Sequence, residues 1–336
     1  MNCRPAPCDD PLLAGLSPAD LVRLGLVDWA ARHRVQDFIK RSFHLPSTLA
    51  VFFTRSEVET LRYVMMDTGA VIVGDIVLHF LGRVSTHESV LELAVAYSAT
   101  SRLGMFLNQL GFTCESSPSG DHSFASLFYE QDGFPEEWGE DGEALLCSIL
   151  VARVCPVDYV LDLPCTAAMN FITHRSAYSL YPLDTFGRSR SLCLSVRGQS
   201  LAADALVAKL ADEGFAPLRW LYEQEAGDAS VPFGRCYRFV GDEHTWVLPV
   251  WPDLDCVDSD VDLAMWQSWC LRFHAYLPPT SRRSYSVVAG PVMKRRYVSG
   301  HPLDSSAPTL GCVFADSRLR GQFVRITQFM GSSLPW

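Results

Sequence analysis

A glycine and two acidic residues border or interrupt apolar runs of the chain. Gly74 interrupts the β-branched run Val71–Val73, and Asp75 opens the apolar stretch that follows. Glu92 lies inside another apolar run, 90–95 (VLELAV). A carboxylate buried without a partner is unfavourable, so Glu92 must reach solvent, a cation or an arginine. Asp75 suits a helix N-cap as well as a cation ligand. We therefore take Gly74, Asp75 and Glu92 as the candidate site.

The signatures of several common chemistries do not occur in this sequence. There is no GxGxxG, GxxxxGK[ST], GxSxG or HExxH, which excludes the usual dinucleotide, P-loop, hydrolase and zincin patterns. The eleven cysteines are never two or three residues apart, and the nine histidines are never three or four apart, so we expect no metal site. An EF-hand starting at Asp258 fails because Leu263 replaces its glycine and Trp269 its glutamate. A Ser-His-Asp triad stays open, since its partners occur in any order.

Alternating helices and strands must position the three candidate residues. Ser17 as N-cap and Pro18 at the first helical position predict a long helix over 17–43. Strands alternating with helices predict an α/β (α+β) fold with a mixed sheet. Apolar spacing predicts the other helices over 55–66, 76–81, 101–110, 164–178 and 201–213, and strands at 71–73, 90–95, 144–152 and 192–196.

Charge is divided unequally along the chain. The 336 residues carry a net charge of −10, while residues 263–336 hold nine Lys or Arg against two Asp, which is +7 and leaves −17 for residues 1–262. Segment 121–143 holds eight carboxylates and no Lys or Arg, which indicates an acidic surface excursion. The basic C-terminal region either binds phosphate or RNA, or pairs with segment 121–143. We favour pairing and expect no nucleic-acid partner, because no aromatic RNA-binding signature accompanies the charge.

Composition and cysteine usage bear on the compartment. The chain is 48% hydrophobic and 20% charged, as is typical of a globular protein. It begins without the apolar run of a secretory signal, and no apolar stretch approaches the roughly 20 residues that span a membrane. An odd number of scattered cysteines indicates free thiols in a reducing compartment. We expect an intracellular protein of the cytoplasm or nucleus, with no membrane partner.

A longer pattern connects these segments. VIVGDIVLHFL followed by STHESVLELAV resembles the start of nucleotidyltransferase-fold proteins, in which a strand leads to Gly-Ser at a helix and Asp-x-Asp follows on the next strand. LSPADLVRLGLVDWAARHRVQDFIKRSF is similar to the later part of an F-box, and AMNFITHRSAYSLYPLDTF and RFVGDEHTWVLPV follow in order. Over about residues 12–250 the chain resembles an expanded, largely uncharacterised family of basidiomycete fungal proteins with an F-box-like leader and a nucleotidyltransferase-like core.

The resemblance implies a nucleotide and Mg²⁺ at the candidate site. In such proteins the glycine lets backbone N–H groups approach the triphosphate, and two or three carboxylates hold the metal ions. Here Gly74-Asp75 replaces Gly-Ser, Glu92 ends the triplet that replaces Asp-x-Asp, and the strand at 144–152 supplies no third carboxylate. We therefore expect a degenerate site, with Mg²⁺ and a nucleotide as cofactors only if it still functions.

The resemblance also divides the chain and sets the hypotheses for function. It implies a helical leader over 1–46, a core over 47–195 and a C-terminal α/β region with a basic tail over 196–336. The first hypothesis is a non-catalytic (pseudoenzyme) binding or regulatory protein, whose ligand is a nucleotide, an anion or a protein partner. The alternative is an active metal-dependent nucleotidyl or phosphoryl transferase that uses Asp75, Glu92 and an unrecognised third acid.

A second alternative is an F-box-type, substrate-recruiting component of a ubiquitin ligase. Only about eleven residues precede Leu12-Leu13, too few for the first helix through which such modules bind their adaptor. Four apolar leader residues are available to pack on the protein's own core instead: Leu21, Leu24, Val27 and Trp29.

Overall fold

Helices and strands alternate along the chain, which confirms the predicted α/β class with a mixed sheet. The computed structural model describes residues 9–16, 18–84, 90–115, 125–131, 145–152, 155–195, 201–227, 231–233, 237–254, 267–274, 277–288, 297–300 and 312–314. The helices are α1 (Asp9–Ala14), α2 (Pro18–Gly25), α3 (Trp29–Ser42), α4 (Leu45–Thr48), α5 (Arg55–Thr68), α6 (Asp75–Gly82), α7 (Thr100–Gln109), α8 (Pro156–Leu161), α9 (Leu201–Asp212) and α10 (Glu223–Gly227). The strands are β1 (Val71–Val73), β2 (Val90–Ala96), β3 (Phe112–Glu115), β4 (Ala125–Gln131), β5 (Leu145–Ala152), β6 (Asn170–Ile172), β7 (Ser176–Ser179), β8 (Arg190–Leu192), β9 (Ala216–Leu218), β10 (Tyr237–Phe239), β11 (Trp246–Pro249), β12 (Gln267–His274), β13 (Leu277–Val288), β14 (Tyr297–Gly300) and β15 (Cys312–Phe314).

An eight-stranded sheet forms the centre of the described structure. Its strand order is β11-β7-β6-β1-β2-β5-β4-β3. Strands β2 and β5 are parallel, and the other neighbours in this sheet are antiparallel. A parallel pair needs a long connection, and α7, β3 and β4 lie between β2 and β5 in the chain. Both faces of β5 are covered, as its continuous apolar sequence predicts: Ile149 packs in one hydrophobic cluster and Leu150 in the other.

Side chains of the central strands alternate between two hydrophobic layers. Leu93 of β2 lies in the layer that α5, α6 and α7 cover, whereas Ala94 lies in the layer that α8 covers. Because successive side chains of a strand point to opposite faces, Glu92 shares the face of Ala94. The candidate acid on β2 thus lies on the α8 side of the sheet.

Two helices, α2 and α3, lie within the described residues of 17–43, so the prediction of one helix there is wrong. Helix α2 ends at Gly25, a residue that favours helix termination. Asp28 then caps α3 by accepting a hydrogen bond from the amide of Ala31 at 2.7 Å. Ser17, the predicted N-cap, lies outside the described residues.

The leader packs only in part as the sequence predicts. Leu21 is buried and Leu24 packs against the same small cluster. Arg83, which follows α6, donates hydrogen bonds to two backbone carbonyls of the leader. Val27 and Trp29, however, are 72% and 75% exposed, so packing on the protein's own core is wrong for these two residues. They lie in the turn between α2 and α3 and at the start of α3, where the Trp29 ring contacts the His33 ring with 4.0 Å between their centroids.

A second, five-stranded sheet is built from the C-terminal part of the chain, in the order β10-β12-β13-β14-β15. Trp269 of β12 is fully buried, and its Nε1 donates to the Tyr181 hydroxyl at 2.8 Å. The Arg238 guanidinium lies 5.0 Å from the Tyr181 ring centroid and 5.2 Å from the Trp269 ring centroid. Strand β11 joins the first sheet beside β7, so the central sheet takes a strand from beyond residue 195.

Residues 164–178 do not form the predicted helix. They form a 3₁₀ turn (Thr166–Ala168), strand β6 and the start of β7, with β6 and β7 paired antiparallel. Thr173 closes the connection, since its amide donates to the Ser176 carbonyl at 2.8 Å and its hydroxyl accepts from the Ser176 amide at 3.2 Å. A threonine whose side chain satisfies the backbone locally favours a turn over a continued helix.

Segment 121–143 is also more than an acidic excursion. Its residues 125–131 form β4, which pairs with β5 and with β3. Seven of the eight acidic residues flank this stretch and only Glu130 lies within it, while Leu127, Phe128 and Tyr129 favour a strand. Most carboxylates of the segment, and most basic residues of 263–336, lie outside the described residues, as does the proposed pairing between them. None of the helices in the described part combines the length and the apolarity needed to cross a membrane.

Candidate functional site at the start of α6

Gly74 connects β1 to α6 in a backbone conformation that only glycine adopts readily. Its φ is 81° and its ψ −161°, a region essentially closed to residues with a Cβ. Its carbonyl accepts hydrogen bonds from the amides of Val77 at 3.1 Å and Leu78 at 3.4 Å. Gly74 therefore ends the strand, as predicted, and also begins the helix without a side-chain cap.

The carboxylate of Glu92 lies directly against Gly74. The antiparallel register places Glu92 of β2 opposite Val73, the residue before the glycine. A Cβ built on Gly74 would lie 2.0 Å from Glu92 Oε2 and 3.1 Å from Glu92 Cδ. The carboxylate thus occupies the volume that any other side chain at position 74 needs. Glycine is required here both for its φ and for the approach of Glu92.

Asp75 is directed to a different neighbour, helix α9. Its carboxylate forms an ion pair with Lys209. Lys209 Nζ also lies 4.0 Å from Glu213 Oε1, and Glu213 Oε2 lies 4.0 Å from His79 Nε2. Acidic and basic side chains therefore alternate where α6 and α9 meet. The Asp75 and Lys209 side chains are 26% and 48% exposed, so this pair contributes about 0–1 kcal/mol to stability.

Helix α8 covers the sheet face that carries Glu92. Tyr159 of α8 lies near Glu92. The pKa of the Tyr159 phenol is raised mainly by burial and secondly by the charge of Glu92. The phenol therefore stays protonated at neutral pH. On the adjoining strand β5 the residue opposite Glu92 is Ser148, which is buried. The resemblance implies a third carboxylate on this strand, and β5 contains none.

The string 168–186, which carries part of the resemblance, supplies buried polar groups to the sheet. Asn170 and Ser179 lie opposite each other on β6 and β7. Asn170 Nδ2 donates to the Ala167 carbonyl at 2.6 Å, while Asn170 Oδ1 and Ser179 Oγ are buried without a hydrogen-bond partner in the described structure. His174 is buried, and its carbonyl accepts from a buried arginine at 2.9 Å. These groups lie within the packed sheet.

The three predicted residues come together only in part. Gly74 and Glu92 are in contact, whereas Asp75 faces α9. The sequence reasoning missed Lys209, which lies 134 positions along the chain from Asp75, and Tyr159, which follows β5 on a short helix. The predicted helix at 201–213 locates the element of Lys209, but no local pattern shows that this helix packs on α6.

The donor set does not fit the two-metal clamp that the resemblance implies. Mg²⁺ requires several oxygen ligands in near-octahedral geometry. Asp75 is already ion-paired with Lys209, and Glu92 lies against Gly74. Within the ranges that the structure describes, no three His, Cys, Asp or Glu side chains are grouped so that they could hold a metal ion. The acidic residues at 255–262 lie outside those ranges.

Comparisons with protein-family models, with curated proteins and with solved structures give no match for this chain.

Proposed function

We propose that this chain is a non-catalytic binding or regulatory protein built on a degenerate nucleotidyltransferase-like core. The order of its elements supports this: α5, β1, α6, β2, α7, β3, β4 and β5 follow in sequence, with β1 antiparallel to β2 and β2 parallel to β5. At the candidate site Glu92 contacts Gly74 and lies opposite Ser148 of β5, whereas Asp75 faces α9.

One observation carries the proposal: each remaining acid is engaged by the protein itself. Lys209 neutralises Asp75, and the Glu92 carboxylate lies against Gly74 beneath α8. Two-metal phosphoryl transfer depends on carboxylates that hold cations at the attacking and leaving oxygens. Losing that charge stabilisation removes the main source of the rate. The site therefore suits recognition rather than group transfer.

Thermal unfolding of the full chain with each nucleoside triphosphate, with and without Mg²⁺ or Mn²⁺, tests the proposal. A ligand at 100 times its Kd stabilises the folded state by about 2.7 kcal/mol, which raises the midpoint by a few degrees. The variants are Glu92→Gln, which removes the charge at the site, and Glu59→Gln, which removes a charge from the exposed face of α5.

We expect no metal-dependent shift in any of the three proteins. A shift without metal supports a nucleotide-binding pseudoenzyme, and no shift with any nucleotide rejects the nucleotide as the ligand of this site. A metal-dependent shift that Glu92→Gln abolishes and Glu59→Gln retains contradicts the proposal and favours the active transferase.

The leader favours a second candidate, a substrate-recruiting component of a ubiquitin ligase. Four large apolar side chains of the leader are exposed by two thirds or more of their area. Exposed apolar groups of this size, when they lie together, mark contact sites for other proteins. The four residues are Leu12, Leu26, Val27 and Trp29.

Co-purification of a Skp-type adaptor tests this candidate. The candidate is supported if the adaptor co-purifies with the wild-type chain and is lost from a variant carrying Val27→Ser and Trp29→Ser. No adaptor with either protein rejects it.

A further inference from the structure

Two cysteines face each other across an isolated antiparallel bridge. Cys165 and Cys193 are bridge partners, and both are free thiols. The neighbouring pair supplies the backbone hydrogen bond, with the Leu194 amide donating to the Pro164 carbonyl at 2.7 Å. The cysteines therefore occupy a non-hydrogen-bonded position, where opposed Cα atoms are about 4.5 Å apart and side chains are closest. Disulfides join Cα atoms about 4.4–6.8 Å apart.

We propose that Cys165 and Cys193 are a redox-controlled pair that closes to a disulfide when a small-molecule disulfide oxidises it. Cys193 reacts first, because it is 8% exposed and Cys165 only 1%. Its thiolate attacks the oxidant RSSR, forms a mixed disulfide and releases RS⁻. The Cys165 thiolate then attacks the Cys193 sulfur and releases a second RS⁻. The pair loses two protons and two electrons, and RSSR is reduced to two RSH.

The surroundings of the pair set the order and speed of these steps. Burial raises the pKa of Cys165 to about 11. Burial also raises the pKa of Cys193, but the charge of Arg219 acts in the opposite direction there. Thiolate is the reacting form, so closure is slow at neutral pH and faster at about pH 9. The two cysteines therefore form a disulfide slowly, unlike the reactive thiol of a fast peroxide sensor.

The disulfide would fix the support of the candidate site. Cys165 packs in one cluster with Leu78 of α6 and Leu210 of α9, the helix that carries Lys209. Cys193 follows β8, which pairs with β9 after α9. The disulfide joins the cluster beneath α6, which contains Cys165, to the strand pair β8–β9. It closes a loop of roughly 30 residues, a length at which native disulfides stabilise the folded state well.

The test compares the full chain after incubation with oxidised glutathione at pH 8.5 and after reduction. Peptide mapping is expected to find one internal disulfide, Cys165–Cys193, with the mass reduced by two hydrogen atoms. The unfolding midpoint is expected to rise by about 5–10 °C on oxidation. Cys193→Ser is expected to abolish the rise, and Cys270→Ser, a half-buried cysteine of β12, to retain it.

Two results would overturn the proposal. One is alkylation of both thiols after oxidation, which shows that they did not join. The other is a rise in midpoint that persists in Cys193→Ser, which assigns the stabilisation to different cysteines. Mapping of the wild-type chain decides the question even if Cys193→Ser folds poorly.

Discussion

Replacing Gly74 with alanine separates the two reasons for which the site requires glycine. The φ of 81° with ψ of −161° imposes a backbone strain of about 1–3 kcal/mol on any residue with a Cβ. The new Cβ would also lie 2.0 Å from Glu92 Oε2 and displace that carboxylate. We expect Gly74→Ala to destabilise the protein by about 3 kcal/mol in total, since displacement of one flexible side chain adds about 1 kcal/mol of coupling to the strain.

The assay is urea unfolding of four proteins: wild type, Gly74→Ala, Glu92→Ala and the double variant. In the Glu92→Ala background we expect Gly74→Ala to lose only the strain, about 2 kcal/mol. Gly214→Ala is the matched control, because Gly214 has a φ of 97° but no atom within 4 Å of its ideal Cβ. Its effect should be the same with and without Glu92. The reasoning is refuted if Gly74→Ala and Glu92→Ala are strictly additive.

Two further predictions concern a buried hydrogen bond near the candidate site and the ion pair of Asp75. Ser191 Oγ accepts a hydrogen bond from the buried Ala167 amide at 3.1 Å, so Ser191→Ala should lower the free energy of unfolding by about 1–3 kcal/mol. Ser179→Ala removes a buried hydroxyl that has no hydrogen-bond partner in the described structure, and it should change this free energy by less than about 0.5 kcal/mol. Equal losses in urea unfolding would contradict this prediction. Lys209→Met removes the partly exposed ion pair with Asp75, so it should lower the free energy of unfolding by no more than about 1 kcal/mol at low salt and by less at 1 M NaCl. If this loss of stability does not decrease with salt, Lys209 acts through packing instead.

Local sequence patterns predict the elements around the site well. The strand Val71–Val73 ended by Gly74, the helix predicted over 76–81 and the strand around Glu92 all form within one residue of their predicted bounds, because each depends on the spacing of neighbouring residues. The short strand β6 is different. Asn170 and its neighbours have the apolar content of a helix, and only the turn at Thr173 shows that the chain reverses.

The contacts that define the site are beyond the sequence. Lys209 reaches Asp75 only because α9 packs on α6, and the contact of Glu92 with Gly74 follows from the register of β1 and β2. Register and helix docking are set by the whole hydrophobic pattern rather than by local residues. Trp29 shows the reverse: it suits a core position by type, yet it is 75% exposed.

Release of phosphate or pyrophosphate tests the central claim most directly. The wild-type chain and Glu92→Gln are each incubated with the nucleoside triphosphates and Mg²⁺ or Mn²⁺, and the products are quantified. If the remaining acids are engaged by the protein itself, the two proteins release product at the same background rate. Metal-dependent release by the wild type that falls tenfold or more in Glu92→Gln would contradict the account and make this chain an enzyme.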